Sequence, residues 1–322
     1  MKPYLFYQGL SKLAKELKGD ENIYLGIRPY GFHAGNMVSI IIYPILLCEK
    51  LSEKGINPQF TFHLFLNDWE QDKLDGPDIK RYPFNIHPKN TTLQYTYLSR
   101  TKKTNVEYWQ PIFRKQMQNI KSRYPKVKIK IIRNSSMKNT KEMKKYLLKT
   151  LNSGRKIASI LEKYTKYPVL NKPIAYVIAV CPFCKKTKGH TNTFKQNRHL
   201  LISHYCTNCS KKITGKYEDF DYWFYHKPLA IPRLELFNID LCITGGDHFN
   251  EGDYIVREKL IKFFGAKIKK YKTIYAPVVL GVNGEKMSKS NKNTAFIPFK
   301  KLFQYVKNHP ELKQIDLKGL RP

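Results

Sequence analysis

Acidic residues are scarce in this 322-residue chain, where 25 Asp and Glu stand against 58 Lys and Arg and leave a formal net charge of +33. Cysteine is scarce as well. Six in a chain this long are too few for a disulfide-stapled scaffold. Repeats and low-complexity tracts are absent, and apolar periodicity persists nearly end to end, which excludes a disordered polyelectrolyte. Long hydrophobic runs are missing too. Met1 to Lys18 alternates Lys with Leu and gives no signal peptide. The most apolar stretch, Met37 to Leu47, is too short to span a bilayer and carries Pro44. These absences point to a soluble, cytoplasmic protein with no membrane partner. With 42% hydrophobic residues it can bury one large core or two ordinary ones.

The positive charge is not spread evenly. Between Arg100 and Lys216 there are 29 basic residues and only Glu107, Glu142 and Glu162, a balance of +26; the rest of the chain carries +7. Of all the basic residues 47 are Lys and 11 are Arg, which suits diffuse attraction to phosphates better than bidentate reading of bases. A polyanion held by the middle region, with strong salt dependence, is expected; a solvated lysine-rich surface is the alternative.

Leu10, Leu13, Ala14 and Leu17 fall at helical spacing and open the chain with a short amphipathic helix. Asn22 to Ile27 reads as a buried strand, followed by a turn at 28–32 and an apolar helix from about Gly35 to Lys54. A second strand, Gln59 to Leu66, ends in an acidic loop with Asp68, Glu70, Asp72 and Asp75. That order opens a parallel α/β sheet. The middle breaks the rhythm, with helices over Tyr108–Arg123, Lys141–Leu151 and around Ile157–Tyr164, and an alternating strand Lys126–Ile132. The α/β pattern resumes with a strand Ile239–Ile243, a helix Tyr254–Phe264 and a strand Thr273–Leu280. The expected division is a first half-sheet at 1–94, an insertion at 95–235, a second half-sheet at 236–297 and a short C-terminal helix in 298–322.

Four of the cysteines form two C-x2-C pairs, Cys181/Cys184 and Cys206/Cys209, separated by 21 residues. Each pair can place two thiolates on one tetrahedral ion, so the four fill a closed structural zinc site with no open position for catalysis. A Cys3His set drawing on His190, His199 or His204 is less economical. Cys48 and Cys242 sit in apolar elements and read as core.

Two further motifs have the residues to hold a nucleotide, although taken singly the first also reads as a loop with a structural His and the second as a solvated lysine loop. In Pro29-Tyr-Gly-Phe-His33-Ala-Gly35-Asn36, between strand and helix, Gly31 and Gly35 let the backbone approach a ligand and the helix N-terminus offers N–H groups to an anion. His33 and Asn36, three apart, can face one phosphate. In Gly284-Glu-Lys286-Met287-Ser288-Lys289-Ser290, after the tight-turn pair Asn283-Gly284, two lysines and two serines can clamp a departing polyphosphate. Each motif follows a strand, one opening and one closing the sheet, as expected when both border one cleft.

His33-Ala-Gly-Asn36 resembles the HIGH signature of class I aminoacyl-tRNA synthetases, and Lys286-Met-Ser-Lys-Ser290 reproduces their KMSKS signature letter for letter. Within that class the chain looks most similar to class I lysyl-tRNA synthetase, through the Gly-Ile-x-Pro-x-Gly lead into His33, the paired C-x2-C knuckles and Gly245-Gly246-Asp247-His248 after a strand. The resemblance implies a Rossmann catalytic domain split by an insertion that handles the tRNA acceptor end. It implies two steps, formation of an aminoacyl-adenylate from an amino acid and ATP with Mg2+, then transfer to the terminal ribose. By motif position, His33 and Asn36 hold the phosphates and Lys286 and Lys289 neutralise the leaving pyrophosphate. Gly31, Gly35, Gly245, Gly246, Ser288 and Ser290 lie on the ATP side; Arg28, Tyr30, Asp68, Glu70, Asp247 and His248 lie on the amino-acid side.

Tyr30 stands where the family commonly has a small Ser, and Arg28 places a cation at the same mouth that would repel a lysine ammonium unless Asp68 or Glu70 faces it. Family members also continue past the KMSKS loop into an anticodon-binding region, whereas 32 residues follow Ser290 here. Either identity lies in the acceptor stem, or a separate anticodon-binding chain supplies the contacts, or the adenylate or charged tRNA serves a pathway other than translation. A non-catalytic tRNA-binding protein is the remaining reading.

Overall fold

The computed structural model describes residues 3–29, 33–70, 86–87, 92, 94–95, 97–98, 103–165, 176–268, 271–281, 284–287, 297–310 and 312–320. Its centre is a six-stranded, all-parallel sheet in the order Lys128–Arg133, Thr61–Leu66, Asn22–Ile27, Leu241–Gly245, Lys272–Ala276, Pro3–Leu5. The inner strands are near-continuous apolar runs because helices cover both faces, as parallel sheets require. Strand order reverses between Asn22–Ile27 and Leu241–Gly245, where Ile23 pairs with Leu241 and Tyr24 with Cys242. At such a switch point the two chains diverge at their carboxyl ends and leave a crevice.

Two expectations change here. The Lys128–Arg133 strand comes from the middle segment read as an insertion, yet it pairs in parallel with Thr61–Leu66 through the whole strand. Its alternating pattern fits an edge position, covered on one side by the helix Asn105–Lys121. The single strand expected at Thr273–Leu280 is two. Pro277 has no N–H for the ladder, and beyond it Val278–Leu280 leaves the main sheet to pair in parallel with Gln314–Asp316. The C-terminal part therefore holds the helix Phe299–Asn308, this strand and a closing turn.

After the first long strand the chain forms one continuous helix, Ala34–Ser52, whose length and hydropathy would suffice for a membrane span. Here 72% of its apolar window is buried inside the protein. Residues Val38–Ile42 widen into a π-helical turn just ahead of Pro44. That widening accommodates a residue that cannot donate to the preceding turn and would otherwise break the helix, so Pro44 does not cut the apolar stretch short.

The cysteine-bearing segment is a small β unit. Gly189–Gln196 and His199–Cys206 form an antiparallel hairpin with Lys212–Gly215 as third strand. Asn197 and Arg198 turn it with φ of 48° and 65°, the left-handed pair that a two-residue hairpin turn demands. Val177–Val180 pairs with Asp221–Phe224 beneath it, and Trp69 stacks on Phe224 at 6.2 Å, tying the unit to the end of the Thr61–Leu66 strand.

Candidate active site at the switch point

The described parts of the two motifs, 33–36 and 284–287, lie at this crevice. His33 is the extended residue ahead of the long helix, with φ −120° and ψ 170°, and the first intrahelical bond runs from Met37 N–H to its carbonyl at 3.0 Å. The N–H groups of Ala34, Gly35 and Asn36 precede that bond and have no intrahelical acceptor, leaving donors for an anion. Glycine at 35 has a local reason: a Cβ there would lie 3.1 Å from Cε1 of the His33 ring. Asn36 Oδ1 is buried without a hydrogen-bond partner among the described residues, as a side chain built for a bound group would be.

Across the crevice the chain returns as a tight hairpin. Gly281 N–H donates to Glu285 O at 2.7 Å, Met287 N–H to Val279 O at 2.7 Å, and Leu280 bridges Lys286. Val279 reaches back to the helix start, within 3.9 Å of the position a Gly35 Cβ would take. Met287, 5% exposed, belongs to the same apolar core as Met37 and Val279. The methionine thus anchors the base of the loop and leaves Lys286 pointing out of it. Lys286 Nζ meets Asp247 Oδ2 at 2.5 Å, which closes the ring from one motif to the end of the Leu241–Gly245 strand. Gly246 lets that strand end lie against its neighbour, since a Cβ would be 2.7 Å from Ala276 O.

Burial works against the charge on Asp247, but His248 and Lys286 beside it hold its carboxyl below the usual range. His248 is shifted the other way: burial disfavours the imidazolium, while Asp247 and the Glu251 carboxylate, 3.0 Å from its Nδ1, raise its pKa. Asp247, His248 and Glu251 lie close enough to share an ion. Asp247 and Glu251 already carry cationic partners, so no metal is assigned there.

The two acids expected at the amino-acid mouth separate. Glu70, largely buried, faces Arg28 in a close ion pair. Asp68 does not line the cleft. It is fully buried and takes hydrogen bonds from the Ser135 backbone N–H at 3.0 Å and hydroxyl at 2.5 Å, fastening the turn after the Lys128–Arg133 strand. Tyr30, Gly31, Ser288, Lys289 and Ser290, with Asp72 and Asp75 of the acidic loop, lie outside the described residues.

Sequence reading missed a layer of buried charge beneath the mouth. Arg233, on the helix His226–Leu236, donates to Asn67 Oδ1 at 2.7 Å and sits 5.0 Å from the Tyr24 ring centre. Lys227, from the same helix, pairs with Asp253, whose other oxygen takes Arg257 Nη2 at 2.6 Å. Arg257 in turn donates to Tyr271 at 2.7 Å and to Cys242 Sγ at 3.0 Å. The available signal was charge inside apolar runs, as in Leu229-Ala-Ile-Pro-Arg233-Leu.

The four knuckle cysteines come together as the spacing required. Sγ atoms of Cys181 and Cys209 lie 3.6 Å apart, as do those of Cys184 and Cys206. Four sulfurs set tetrahedrally at about 2.3 Å from a zinc ion would lie about 3.8 Å apart, so the donor set fits that ion. His204 is not part of it; its Nδ1 is 2.9 Å from Thr191 Oγ1 in the buried face of the hairpin.

Among solved structures, the chain is similar to tyrosyl-tRNA synthetase from Archaeoglobus fulgidus complexed with L-tyrosine, at 13% identity over 90% of this chain and 65% of that one, TM-score 0.45. It is also similar to the Aeropyrum pernix tyrosyl-tRNA synthetase, at 12% identity over 89% and 61%, TM-score 0.46. For Leishmania major tyrosyl-tRNA synthetase in complex with fisetin the figures are 14%, 90% and 34%, with TM-score 0.42. The chain thus spans less than two thirds of the length of each. No curated protein matches it in sequence. The model of the family described as tRNA synthetases class I (K) matches residues 23–311, and the chain therefore belongs to the class I tRNA synthetase family.

Proposed function

We propose that this protein activates an amino acid with ATP and transfers it to tRNA. The observation that carries the reading is the Lys286–Asp247 ion pair just past the end of the Leu241–Gly245 strand, with His33 and Asn36 following the neighbouring Asn22–Ile27 strand. In the first step a carboxylate oxygen of the amino acid attacks the α-phosphorus of ATP. The bond from that phosphorus to its bridging oxygen breaks, and the electron pair leaves with pyrophosphate. The helix N-terminus, His33 and Asn36 hold the phosphates in line; Lys286, with Lys289 from the same loop, neutralises the leaving group. Mg2+ on the ATP supplies further charge neutralisation. In the second step a ribose hydroxyl of the tRNA end attacks the adenylate carbonyl, and AMP departs. No covalent nucleophile is required of the protein.

Lysine is the first candidate substrate, supported by the family description and by the carboxylate of Glu70 at the mouth. On this reading a lysine ammonium replaces the Arg28 guanidinium on Glu70. The test is ATP–pyrophosphate exchange across the standard amino acids, with and without total tRNA. A signal with lysine, lost in Glu70→Gln and abolished in Lys289→Ala, is expected. Exchange unchanged in Lys289→Ala would sink the assignment of the loop, and a signal with another amino acid would sink lysine alone.

A further inference from the structure

We propose that Phe6 is a stacking platform for the base of ATP, set at the rim of the sheet by a strained turn. Six described residues other than glycine adopt a positive φ, and five of them are polar or charged. The sixth is Phe6, at 52°. A bulky side chain crowds its own backbone there, whereas glycine would make the same turn without strain. Leu5 ahead of it is extended, with φ −117° and ψ 129°, and the helix Phe6–Leu13 starts at once. No loop intervenes. The helix folds back so closely that a Cβ at Gly9 would lie 3.0 Å from the Tyr4 carbonyl carbon. A strand-to-helix elbow of this kind lifts the side chain of its bent residue to the top of the sheet.

All six strands run parallel, so that top is the carboxyl rim that also carries His33 and Asp247. Pro3–Leu5 is the edge strand, and Lys272–Ala276 stands between it and Leu241–Gly245. Phe6 Cε1 nevertheless comes within 3.4 Å of the place a Gly246 Cβ would occupy. The ring therefore leans across the end of the intervening strand, to the residue just before Asp247 and its Lys286 partner. Val278 Cγ2 lies 3.4 Å from the same point, so an aromatic ring, a methyl group and bare backbone converge there. Packing does not account for the strain. Phe6 is half-buried and belongs to none of the apolar clusters of the described residues, although Tyr4, Leu10 and Leu13 around it lie in the main core. A costly backbone conformation at the edge of a site, spent on a ring the core does not use, points to a ligand. Lys286 and the helix start after His33 offer charge and N–H donors to phosphates, and neither offers a surface to a base. A flat hydrocarbon ring beside them suits a nucleobase, since every base has a π-face to stack. That the nucleotide is ATP rests on the function proposed above; stacking of a base on Phe6 does not.

The test is calorimetric titration of the full-length, zinc-loaded chain with ATP and, separately, with inorganic tripolyphosphate, both with Mg2+ and without tRNA or amino acid. Phe6→Ala and Phe6→Gly are each expected to weaken ATP binding about tenfold and to leave tripolyphosphate binding unchanged. Phe6→Tyr keeps both. Thermal melts separate the ring from the fold, because glycine at a φ of 52° is free of the strain that alanine retains. Phe6→Gly is therefore expected to melt above Phe6→Ala while the two bind ATP alike. ATP affinity unchanged in both variants overturns the proposal, as does an equal loss for ATP and tripolyphosphate. ATP affinity that follows the melting temperature from alanine to glycine also overturns it, since the ring would then act only through the fold. Wild type that binds no ATP overturns it as well. Wild type that binds ATP but gives no pyrophosphate exchange, with or without tRNA, counts against the activity and leaves the platform standing.

Discussion

Asp68 and Glu70 show how far one residue's neighbours decide its role. Both are acids two positions apart in a loop that closes a strand, and nothing in the local sequence separates them. Alternation does not carry past the end of the strand, so the partner of each carboxylate, Ser135 for one and Arg28 for the other, is set by chain far away. Burial raises the Asp68 carboxyl to about 6 even though Ser135 donates to it. The folded protein therefore holds that proton more tightly than the unfolded chain does. The associated stability is fully present below about pH 4 and is lost as pH rises through 6. Asn at this position keeps both contacts with Ser135 and carries no charge to bury. Between pH 4.5 and 7.5, Asp68→Asn is expected to gain about 2–3 kcal/mol relative to the wild type, read from urea midpoints. A difference that stays constant across this range would show that the side chain does not change ionisation there.

At the scale of the element, strongly periodic segments were legible. The strand Asn22–Ile27 and the helices Lys141–Asn152 and Asp253–Phe264 fall within a residue or so of their expected bounds. The helix His226–Leu236 was not legible, because Pro228 and Pro232 read as punctuation and its apolar residues run nearly all round. It is held by ionic contacts that no periodicity could show. Lys227 and Arg257 both meet Asp253 in the interior, so one carboxylate serves two buried cations. Those neighbours, winning over its burial, hold Asp253 well below the usual carboxylate range. Asp253→Ala is expected to cost about 3–5 kcal/mol, since it removes the carboxylate that the two cations share and leaves Lys227 with the more distant Glu251 carboxylate at 3.9 Å. A loss below 1 kcal/mol by denaturant unfolding would mean that the cations find other partners.

For the whole molecule, the sequence expects both motifs at one cleft because a parallel sheet has its crevice at the strands' carboxyl ends; the structure sets Lys286 against Asp247 past one such end, and Val279, just before that loop, against the start of the helix after His33. The boundary between sheet and insertion was less legible. A basic, alternating edge strand such as Lys128–Arg133 looks the same whether it borders a Rossmann sheet or a separate unit. The four-cysteine cluster closes a unit whose described contacts to the rest run through Val177–Val180, Asp221–Phe224 and the helix Lys141–Asn152. Stripping the ion with a chelator is expected to remove amide-exchange protection from 189–206 while strands 22–27, 61–66 and 241–245 keep theirs. On the proposed function, loss of tRNA charging then exceeds loss of pyrophosphate exchange. Simultaneous loss of protection in both regions would show a single cooperative unit.

The strand Val278–Leu280 lies between Gln314–Asp316 on one side and the return of the Lys286 hairpin on the other. Ile315, 1% exposed, is the buried residue of the outer strand. The last strand therefore braces Lys286 from behind through the backbone of Val278–Leu280, a mechanical link from the C-terminal segment to the rim of the switch-point crevice.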